Sequence, residues 1–447
     1  MGLFSVLTAQ THIWTGNGGD TDWFNANNWN ANTVPTAISE VMINGNFVVN
    51  IQGNQAEVTN VHIKNEGILV IEGGLEASSL LIIGTDASLE FVNGTISGGG
   101  TLVNNGLLKI EGNFTRTFEN LTLNNNAQFL ITQSNITEVR NTVINNNSTG
   151  VLDIASVGGF LQQNTSSVLN NFGVLKKSPD GLNPIGNFYL ILEINNEGVI
   201  DVQEDQILLL LAGSSTFTNF EGGLIVGNGT YDITTTFINA GTVSPGNSPE
   251  IGSLDITNNF SLNSGIIEID MAGTQPGQFD LISVTGGPSM DGIIAVNLQF
   301  APQLGDEFEV ITWNSGGNTC NFPQFITAMF EGFEYTFEIN CNANDVTLRV
   351  SGISILQIDD LSARTFQFFV QPNPVTQEAA FIFSSEFISS EDTSLSIYNY
   401  LGQRVIHIEG FTQENNSFLR GNLPSGLYFA QLETEGKVLA TTRMVLD

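Results

Sequence analysis

This 447-residue chain has many acidic side chains that could take part in acid–base chemistry but few basic ones. Asp and Glu total 45, Lys and Arg total 12 and His total 3, for a net charge of -33 at pH 7. A polysaccharide lyase needs a base beside the uronate, usually with Ca²⁺ on clustered Asp, and a glycoside hydrolase needs two facing carboxylates. Before Ser178 the basic residues stand alone in the sequence except for one adjacent pair. They are Lys64, Lys109, Arg116, Arg140, Lys176 and Lys177.

One pair of carboxylates has the spacing that a hydrolase would use. Glu268 and Asp270 alternate within an apolar run, so on a strand they share one face at about 7 Å. No second acidic cluster accompanies them, and we interpret them as solvated acids. The histidines His12, His62 and His407 are scattered, which suits neither a Ser–His–Asp arrangement nor a histidine metal site. Asp20 and Asp22 form one short Ca²⁺-like string, which is more typical of a polar turn.

We therefore assign no catalytic, cofactor-binding or metal residue, and Ca²⁺ is the one ion that Asp20 and Asp22 would suit. The acidic balance argues against nucleic acid as a partner, because phosphate binding needs a basic surface. The chain has 47 Gly and 51 Asn, which favour turns over helices, and its 41% hydrophobic residues are enough for a core. These features predict an all-β, turn-rich protein.

The two cysteines, Cys320 and Cys341, favour one structural disulfide in an oxidising compartment, and two buried thiols are the alternative. Residues 1–10 are a short apolar run without a basic start, and we interpret them as the remnant of a truncated secretory signal peptide.

A repeat of about 22 residues organises the middle of the chain. Each unit has a small anchor residue that opens an apolar alternation, as in NEGILVI, NNGLLKI and NEGVIDV. The anchors are Gly45, Gly67, Ala87, Gly106, Ala127, Gly150, Gly173, Gly198, Gly223, Gly241 and Gly265. Two positions after the anchors stand apolar residues that we expect to form an internal stack: Phe47, Leu69, Leu89, Leu108, Phe129, Leu152, Leu175, Ile200, Ile225, Val243 and Ile267.

The next position in each unit is mixed and often charged, and we expect it to face solvent. That row is Val48, Val70, Glu90, Lys109, Leu130, Asp153, Lys176, Asp201, Val226, Ser244 and Glu268. Two positions before the anchor, Asn recurs at 65, 104, 125, 171, 196, 239 and 263, where amides could stack between coils. A fixed register repeated this often favours a right-handed parallel β-helix of about eleven coils over a sandwich of antiparallel hairpins.

This region resembles the β-helical passenger segments of autotransporters and similar bacterial surface proteins. The likeness rests on NAGTVSPGNSPEIGSLDITNNFSLNSGIIEIDM, residues 239–271, and on the Trp-rich opening WTGNGGDTDWFNANNWNANTVPT, residues 14–36. We expect an N-terminal cap over residues 11–44, helix repeats over 45–274 and an antiparallel β cap holding the disulfide over 275–352. A linker over 353–369 would then lead to the last module.

Residues 370–447 carry three ordered motifs on a predicted small Ig-like β-sandwich. They are Pro372-Asn373-Pro374, then Tyr398 with Gly402 and Val405, then Leu423 with Gly426 and Tyr428, and the final strand adds Lys437 and Arg443. This module resembles the type A C-terminal sorting domain of the type IX secretion system in Bacteroidota. The resemblance implies a secreted or outer-membrane-surface protein, with the type IX machinery as partner and release or attachment to surface lipopolysaccharide after processing.

We therefore expect an exported structural or adhesin-like rod without enzymatic activity, with glycans or other cell surfaces as further partners. A secreted β-helix polysaccharide lyase or glycoside hydrolase is the alternative.

Overall fold

The computed structural model describes residues 10–132, 136–163, 166–179, 186–211, 215–258, 260–314, 319–355, 368–383, 393–412, 416–434 and 437–447. The chain divides into two compact units, Met1–Ile355 and Leu356–Asp447. The predicted signal-peptide remnant lies outside the described residues apart from Gln10, which already belongs to the first strand. The one helical turn of the described residues is a 3₁₀ turn, Ala26–Asn28.

The described part of the first unit is built from strands, most of them four to seven residues long. The strands up to residue 140 are β1 (Gln10–Ile13), β2 (Ser39–Asn44), β3 (Val48–Lys64), β4 (Ile68–Ile83), β5 (Ser88–Phe91), β6 (Gly94–Ser97), β7 (Thr101–Asn104), β8 (Leu107–Ile110), β9 (Arg116–Glu119), β10 (Thr122–Asn125), β11 (Gln128–Thr132) and β12 (Ile136–Arg140). Those up to residue 245 are β13 (Val143–Asn146), β14 (Val151–Ala155), β15 (Gly158–Gln162), β16 (Val168–Asn171), β17 (Val174–Lys177), β18 (Gly186–Ile191), β19 (Glu193–Asn196), β20 (Val199–Val202), β21 (Gln206–Leu210), β22 (Thr216–Asn219), β23 (Leu224–Gly227), β24 (Thr230–Ile233), β25 (Thr236–Asn239) and β26 (Thr242–Pro245). The last are β27 (Ser253–Asn258), β28 (Ile266–Met271), β29 (Leu281–Thr285), β30 (Ser289–Met290), β31 (Ile293–Leu298), β32 (Glu307–Trp313), β33 (Thr319–Cys320), β34 (Phe325–Phe330), β35 (Phe333–Cys341) and β36 (Asp345–Ile355).

Each strand of the middle region pairs in parallel with the strand three places later in the chain. One sheet runs β7–β10–β13–β16–β19–β22–β25, a second runs β8–β11–β14–β17–β20–β23–β26, and a third runs β9–β12–β15–β18–β21–β24–β27. One coil therefore contributes one strand to each of three sheets, which is a parallel β-helix. This confirms the predicted fold.

The predicted internal stack is confirmed except in its first coil. Ten of its members, Leu69 to Ile267, pair coil to coil in the second sheet and are buried. The partner of Leu69 is Val49 rather than Phe47, and Asn50 rather than Val48 begins the outward row. The position equivalent to the anchor Gly67 in the first coil is Phe47, so the predicted anchor Gly45 lies two residues too early. Phe47 donates its backbone N–H to the carbonyl of Gly45 at 2.7 Å. Phe47 is only partly buried there.

The outward row has a second exception near its end. Val226 and Ser244 are 1% and 2% exposed, although the alternation predicted them on the surface. The segment after β26 folds back over this face, where the backbone N–H of Ser248 donates to Ser244 Oγ at 3.5 Å. A loop thus covers positions that period-two alternation alone places outside.

The anchors are small because successive coils approach closely at the corners. A Cβ added to Gly198 would lie 2.2 Å from the carbonyl oxygen of Gly173, and one added to Gly223 would lie 2.3 Å from Asn219 Oδ1. Glycine is required at these two positions for space.

A ladder of buried asparagines runs beside these anchors in the first sheet. The Nδ2 of every rung before the last, Asn239, donates to the Oδ1 of the next coil at 2.6 to 2.8 Å. The rungs, all 0% exposed, are Asn104, Asn125, Asn146, Asn171, Asn196, Asn219 and Asn239. Asn65 and Asn263 were predicted in this row but have positive φ in exposed turns, and Asn146 and Asn219 take part although they lie four positions before their anchors.

Three tryptophans close the N-terminal end of the β-helix. Trp14, Trp23 and Trp29 are buried at 3%, 0% and 1% exposure. Trp29 packs edge-on against both others, with ring centroids at 5.0 and 4.9 Å. The region predicted as a cap also contains helix strands, because β1 pairs in parallel with β2.

The β-helix continues past residue 274, where we predicted the antiparallel cap to begin. β28 pairs in parallel with β31, and β29 pairs in parallel with β32. The repeat persists there because Gly292 is a further anchor, followed two positions later by Ile294, which continues the stack from Ile267. The antiparallel pairings are β32–β36, β34–β35 and β35–β36.

The second unit contains two antiparallel sheets. Its strands are β37 (Phe368–Gln371), β38 (Glu378–Phe383), β39 (Thr393–Asn399), β40 (Arg404–Glu409), β41 (Ser417–Leu419), β42 (Gly426–Thr434) and β43 (Lys437–Leu446). One sheet is β37-β38-β41 and the other is β40-β39-β42-β43. Both ends of the predicted linker, 353–369, are strand, since β36 reaches Ile355 and β37 begins at Phe368.

Candidate functional site

The first predicted sorting motif fastens the entry of the second unit to its final strand. Asn373 Nδ2 donates to the carbonyl of Arg443 at 3.1 Å, and Asn373 Oδ1 accepts from the backbone N–H of Val445 at 2.9 Å. Pro372 and Pro374 both follow cis peptide bonds on either side of Asn373. The three residues therefore present one side-chain amide to an exposed stretch of β43.

The second motif is a hairpin turn between β39 and β40. Asn399 Oδ1 accepts the backbone N–H groups of Leu401 and Gln403, each at 3.0 Å. Gly402 has φ 77, a conformation that favours glycine. Tyr398 and Val405 flank this turn, and Tyr400 and Leu401 at its tip are 73% and 65% exposed.

The third motif packs on the sandwich core. Tyr428 is 5% exposed, and its hydroxyl donates to the carbonyl of Pro424 at 3.0 Å. Gly426 begins β42, and Leu423 packs against the core cluster. Arg443 is exposed on β43, and the side chain of Lys437 lies outside the described residues.

Arg420 joins these motifs, and the sequence analysis did not include it in the site. Its guanidinium donates to the carbonyls of Leu423 at 3.1 Å and Thr376 at 3.3 Å, and to the carbonyl of Asp447. It also donates to Ser425 Oγ at 2.8 Å. One side chain thus links the bend after the first motif, the third motif and the last residue. Its position between two motifs was visible in the sequence, but its partners are long-range.

The two cysteines are joined. Cys320 in β33 and Cys341 at the end of β35 form a disulfide with a Cα–Cα distance of 6.4 Å. The bond connects the last short parallel pair, β30–β33, to the antiparallel strands.

The predicted carboxylate pair belongs to a larger group, here called the acid cluster: Glu268, Asp270 and Asp280. Asp280 Oδ1 accepts the N–H of Gly252 at 2.7 Å, and its Oδ2 accepts the N–H of Asp270 at 2.9 Å. Burial, followed by the negative charges of Asp270 and Glu268, raises the pKa of Asp280 to about 7. Burial likewise raises the pKa of Asp270, whose Oδ1 accepts from Ser248 Oγ at 3.1 Å.

This acid cluster lies under the loop after β26, and its member Asp280 was not predicted from the sequence. Asp270 and Asp280 are both 0% exposed. Asn297 Nδ2 donates to Glu268 Oε1 at 2.7 Å and to Ser248 Oγ at 3.2 Å, closing the cluster from the next coil. Two acids are therefore brought together with a perturbed pKa, but no substrate-sized opening reaches their oxygens.

Four of the six basic residues that a lyase could use are engaged in local contacts, while Lys64 is exposed and Lys176 half-buried at the surface. Lys109 is paired with Glu111 at 2.5 Å, and Arg140 with Glu138 at 2.5 Å. Arg116 is buried and donates to the carbonyl oxygens of nearby turns, and burial lowers its pKa to about 10. Lys177 points into the core, where its Nζ donates to Gln206 Oε1 at 2.7 Å.

The remaining candidate ligands also lie apart. His12 contacts Thr33, and His407 contacts Ser396. The carboxylate of Asp20 accepts from the side-chain amides of Asn25 and Asn28, which lowers its pKa. In the described ranges, no three His, Cys, Asp or Glu side chains are grouped as metal ligands, and no helix has the length and hydropathy to cross a membrane.

Comparison with known proteins identifies the second unit. Residues 370–447 match the family model described as the secretion system C-terminal sorting domain. No curated protein sequence matches the chain. The matched span contains all three motifs and ends at the last residue. The chain is thus a β-helix protein that carries a type IX sorting domain at residues 370–447 and is secreted to the extracellular space or the cell surface.

Proposed function

We propose that the exported β-helix is a structural or adhesive rod without enzymatic activity. The observation that carries this proposal is that the loop after β26 covers the acid cluster, in which the buried carboxylates meet. Asp270 and Asp280 are 0% exposed, and the Asp280 carboxylate already accepts the backbone N–H groups of Gly252 and Asp270. A hydrolase needs both carboxyl groups at one accessible glycosidic bond.

The basic residues support the same proposal. A lyase base must lie within hydrogen-bond reach of the proton that it removes. Lys109 and Arg140 are in ion pairs, and Lys177 is buried in the core. The sequence from Ser178 to Leu348 has no Lys or Arg, so an anionic polysaccharide would be repelled there.

A secreted hydrolase is the second candidate, and the pKa of Asp280 favours it. A carboxyl group with a pKa near 7 suits a general acid. For this role, the loop after β26 would have to open and expose Asp280.

The test is turnover by the purified full chain. We expect no new reducing ends from neutral β-glucan and no unsaturated uronate from polygalacturonate or alginate, with or without Ca²⁺. Product that disappears in Asp280→Asn or Asp270→Asn would overturn the proposal in favour of the hydrolase. Product that persists in both variants would indicate a contaminating enzyme, and the assay would be repeated on material from a strain lacking it.

Adhesion is tested in cells. We expect cells without the protein to attach less to a polysaccharide-coated surface than cells that display it. Equal attachment of both strains would contradict the adhesive role.

A further inference from the structure

One face of the β-helix is almost free of charge. It consists of the outward residues of the first sheet, here called the uncharged face: Leu80, Ile82, Thr101, Val103, Thr122, Asn124, Val143, Asn145, Val168, Asn170, Glu193, Asn195, Thr216, Thr218, Thr236 and Ile238. Glu193 is its single formal charge, in a chain with a net charge of -33. The same two columns continue into the first two coils as Glu40, Met42, Asn60 and His62, so the uncharged face is a strip of eight coils rather than a whole side of the β-helix. Acidic residues are usually spread over a protein surface, so their near absence from eight successive coils is informative.

The face is regular as well as uncharged. Its residues form two columns in which each member pairs with the corresponding residue one coil away, as in Thr101↔Thr122↔Val143↔Val168. Seven strand-to-strand steps at about 4.8 Å give a straight strip about 34 Å long. The side chains are half-buried or exposed along this strip. A single small ligand would use only one step, so the repetition suits a polymer.

The amides of the second column keep hydrogen-bonding capacity. Asn145 donates to Asn124 at 2.8 Å, Asn170 to Asn145 at 2.9 Å, and Asn195 to Asn170 at 3.0 Å. A side-chain amide has two N–H groups and two acceptor lone pairs. Within the described part of the chain, Asn145 and Asn170 thus each retain one N–H and one lone pair. Thr122 and Thr101 add hydroxyls in the neighbouring column.

We propose that the uncharged face binds a neutral, extended polysaccharide running along the β-helix. This inference rests on the proposed adhesive function and assigns its binding surface. Sugar hydroxyls both donate and accept, so they match the residual capacity of the amides, and the aliphatic residues between them suit the apolar faces of sugar rings. The contacts made by one coil contribute little binding free energy, and their repetition along the strip provides the affinity.

The observations favour this occupant over a second copy of the chain. Two copies that met through this face would bring together two bodies of the same large negative charge. An anionic glycan would form no ion pairs with a face that has no basic residues.

The experiment compares two valines of one coil. Val143 lies on the uncharged face, and Val151 lies at an outward position of the second sheet. Glu193 occupies the same column as Val143, so the fold accommodates a carboxylate there. The full chain is mixed with amorphous cellulose, and the retained fraction is measured by sedimentation. We expect Val143→Glu to lower retention about tenfold, the equivalent of roughly 1.4 kcal/mol, and Val151→Glu to leave it unchanged.

Three further arms make the result decisive. Thermal unfolding shows whether Val143→Glu is folded. If it is not, Asn145→Leu is used instead, which removes one amide without adding charge and should also lower retention on cellulose. Soluble xylan should compete with cellulose, whereas coiled amylose and polygalacturonate should not. No retention of the wild type on cellulose, equal loss in both valine variants, or equal competition by amylose would overturn the inference.

Two outcomes separate this inference from its neighbours. A dimer in sedimentation velocity that Val143→Glu abolishes, without retention on cellulose, would assign the face to a second copy instead. Cells that display Val143→Glu and attach as well as wild-type cells would refute the binding face while leaving the adhesive function intact.

Discussion

Asn146 donates a hydrogen bond from its Nδ2 to Oδ1 of Asn171 at 2.7 Å, although 25 residues separate them in the chain. Its second N–H reaches the carbonyl of Val174 at 3.0 Å. Both N–H groups of this buried amide are therefore satisfied, as a dry position requires. The column that contains them begins as Ile43, Ile63 and Ile83 and changes to asparagine at Asn104.

The buried asparagine ladder predicts that a substitution in its middle lowers stability more than one at its end. Asn171→Ile would leave Asn146 Nδ2 and Asn196 Oδ1 without their partners, at about 1–3 kcal/mol for each buried group. Asn104→Ile would extend the isoleucine column and break only one rung of the ladder, that to Asn125, besides two bonds to backbone groups of Gln128 and Gly106. We expect a clearly lower urea midpoint for Asn171→Ile than for Asn104→Ile. Equal midpoints would show that the ladder does not act as a connected unit.

A second prediction concerns the space at the anchors. Gly198→Ala would place a Cβ 2.2 Å from the carbonyl oxygen of Gly173, whereas at Gly67 the nearest atoms are at 3.1 Å. Overpacking of this kind costs about 1–3 kcal/mol. Gly198→Ala should lower the melting temperature, with Gly67→Ala as the milder control. A reversed order would contradict the steric explanation of the repeat.

The raised pKa of Asp280 predicts how the stability of the folded chain depends on pH. Its pKa is raised to about 7 in the folded chain, chiefly by burial, from an ordinary value of 3.8. Between these values the folded state binds more protons than the unfolded state, so the contribution of this group to stability increases as pH falls from above 7 towards 4. We expect a higher melting temperature at pH 5.5 than at pH 8, and a smaller difference in Asp280→Asn. An unchanged difference in the variant would assign the pH dependence to the general negative charge instead.

Arg420 predicts an effect on export. Arg420→Ala would remove donors from the carbonyls of Thr376 and Leu423 and loosen the motifs of the sorting domain. We expect the protein to accumulate in the periplasm, with a several-fold loss from the medium or cell surface. The control is Arg349→Ala, which removes only an exposed ion pair with Glu307 in the first unit. Normal surface levels of Arg420→Ala would show that the domain is read without this link.

Sequence periodicity predicted the β-helix because burial on one face of each strand must recur at every coil. It failed at Phe47, a large residue that occupies the anchor position of the first coil, and at Ser244, where the loop that directly follows its strand covers the face. The ladder was predicted only in part, since two rungs lie four positions before their anchors rather than two. Asp280 could not be linked to Asp270 from sequence, because the two meet only through the turn that joins β28 to β29. The sorting motifs were local and ordered, and therefore the easiest feature to find.

The amide ladders also have a direction. The buried ladder donates from each coil to the next along the chain, from Asn104 towards Asn239. On the surface, Asn195, Asn170 and Asn145 each donate to the preceding coil, as do Asn147 and Asn126. Each amide is a small dipole, and dipoles aligned along one axis add. Because neighbouring columns point in opposite directions, their fields oppose one another, and the β-helix can add coils without building up partial charge at its two ends.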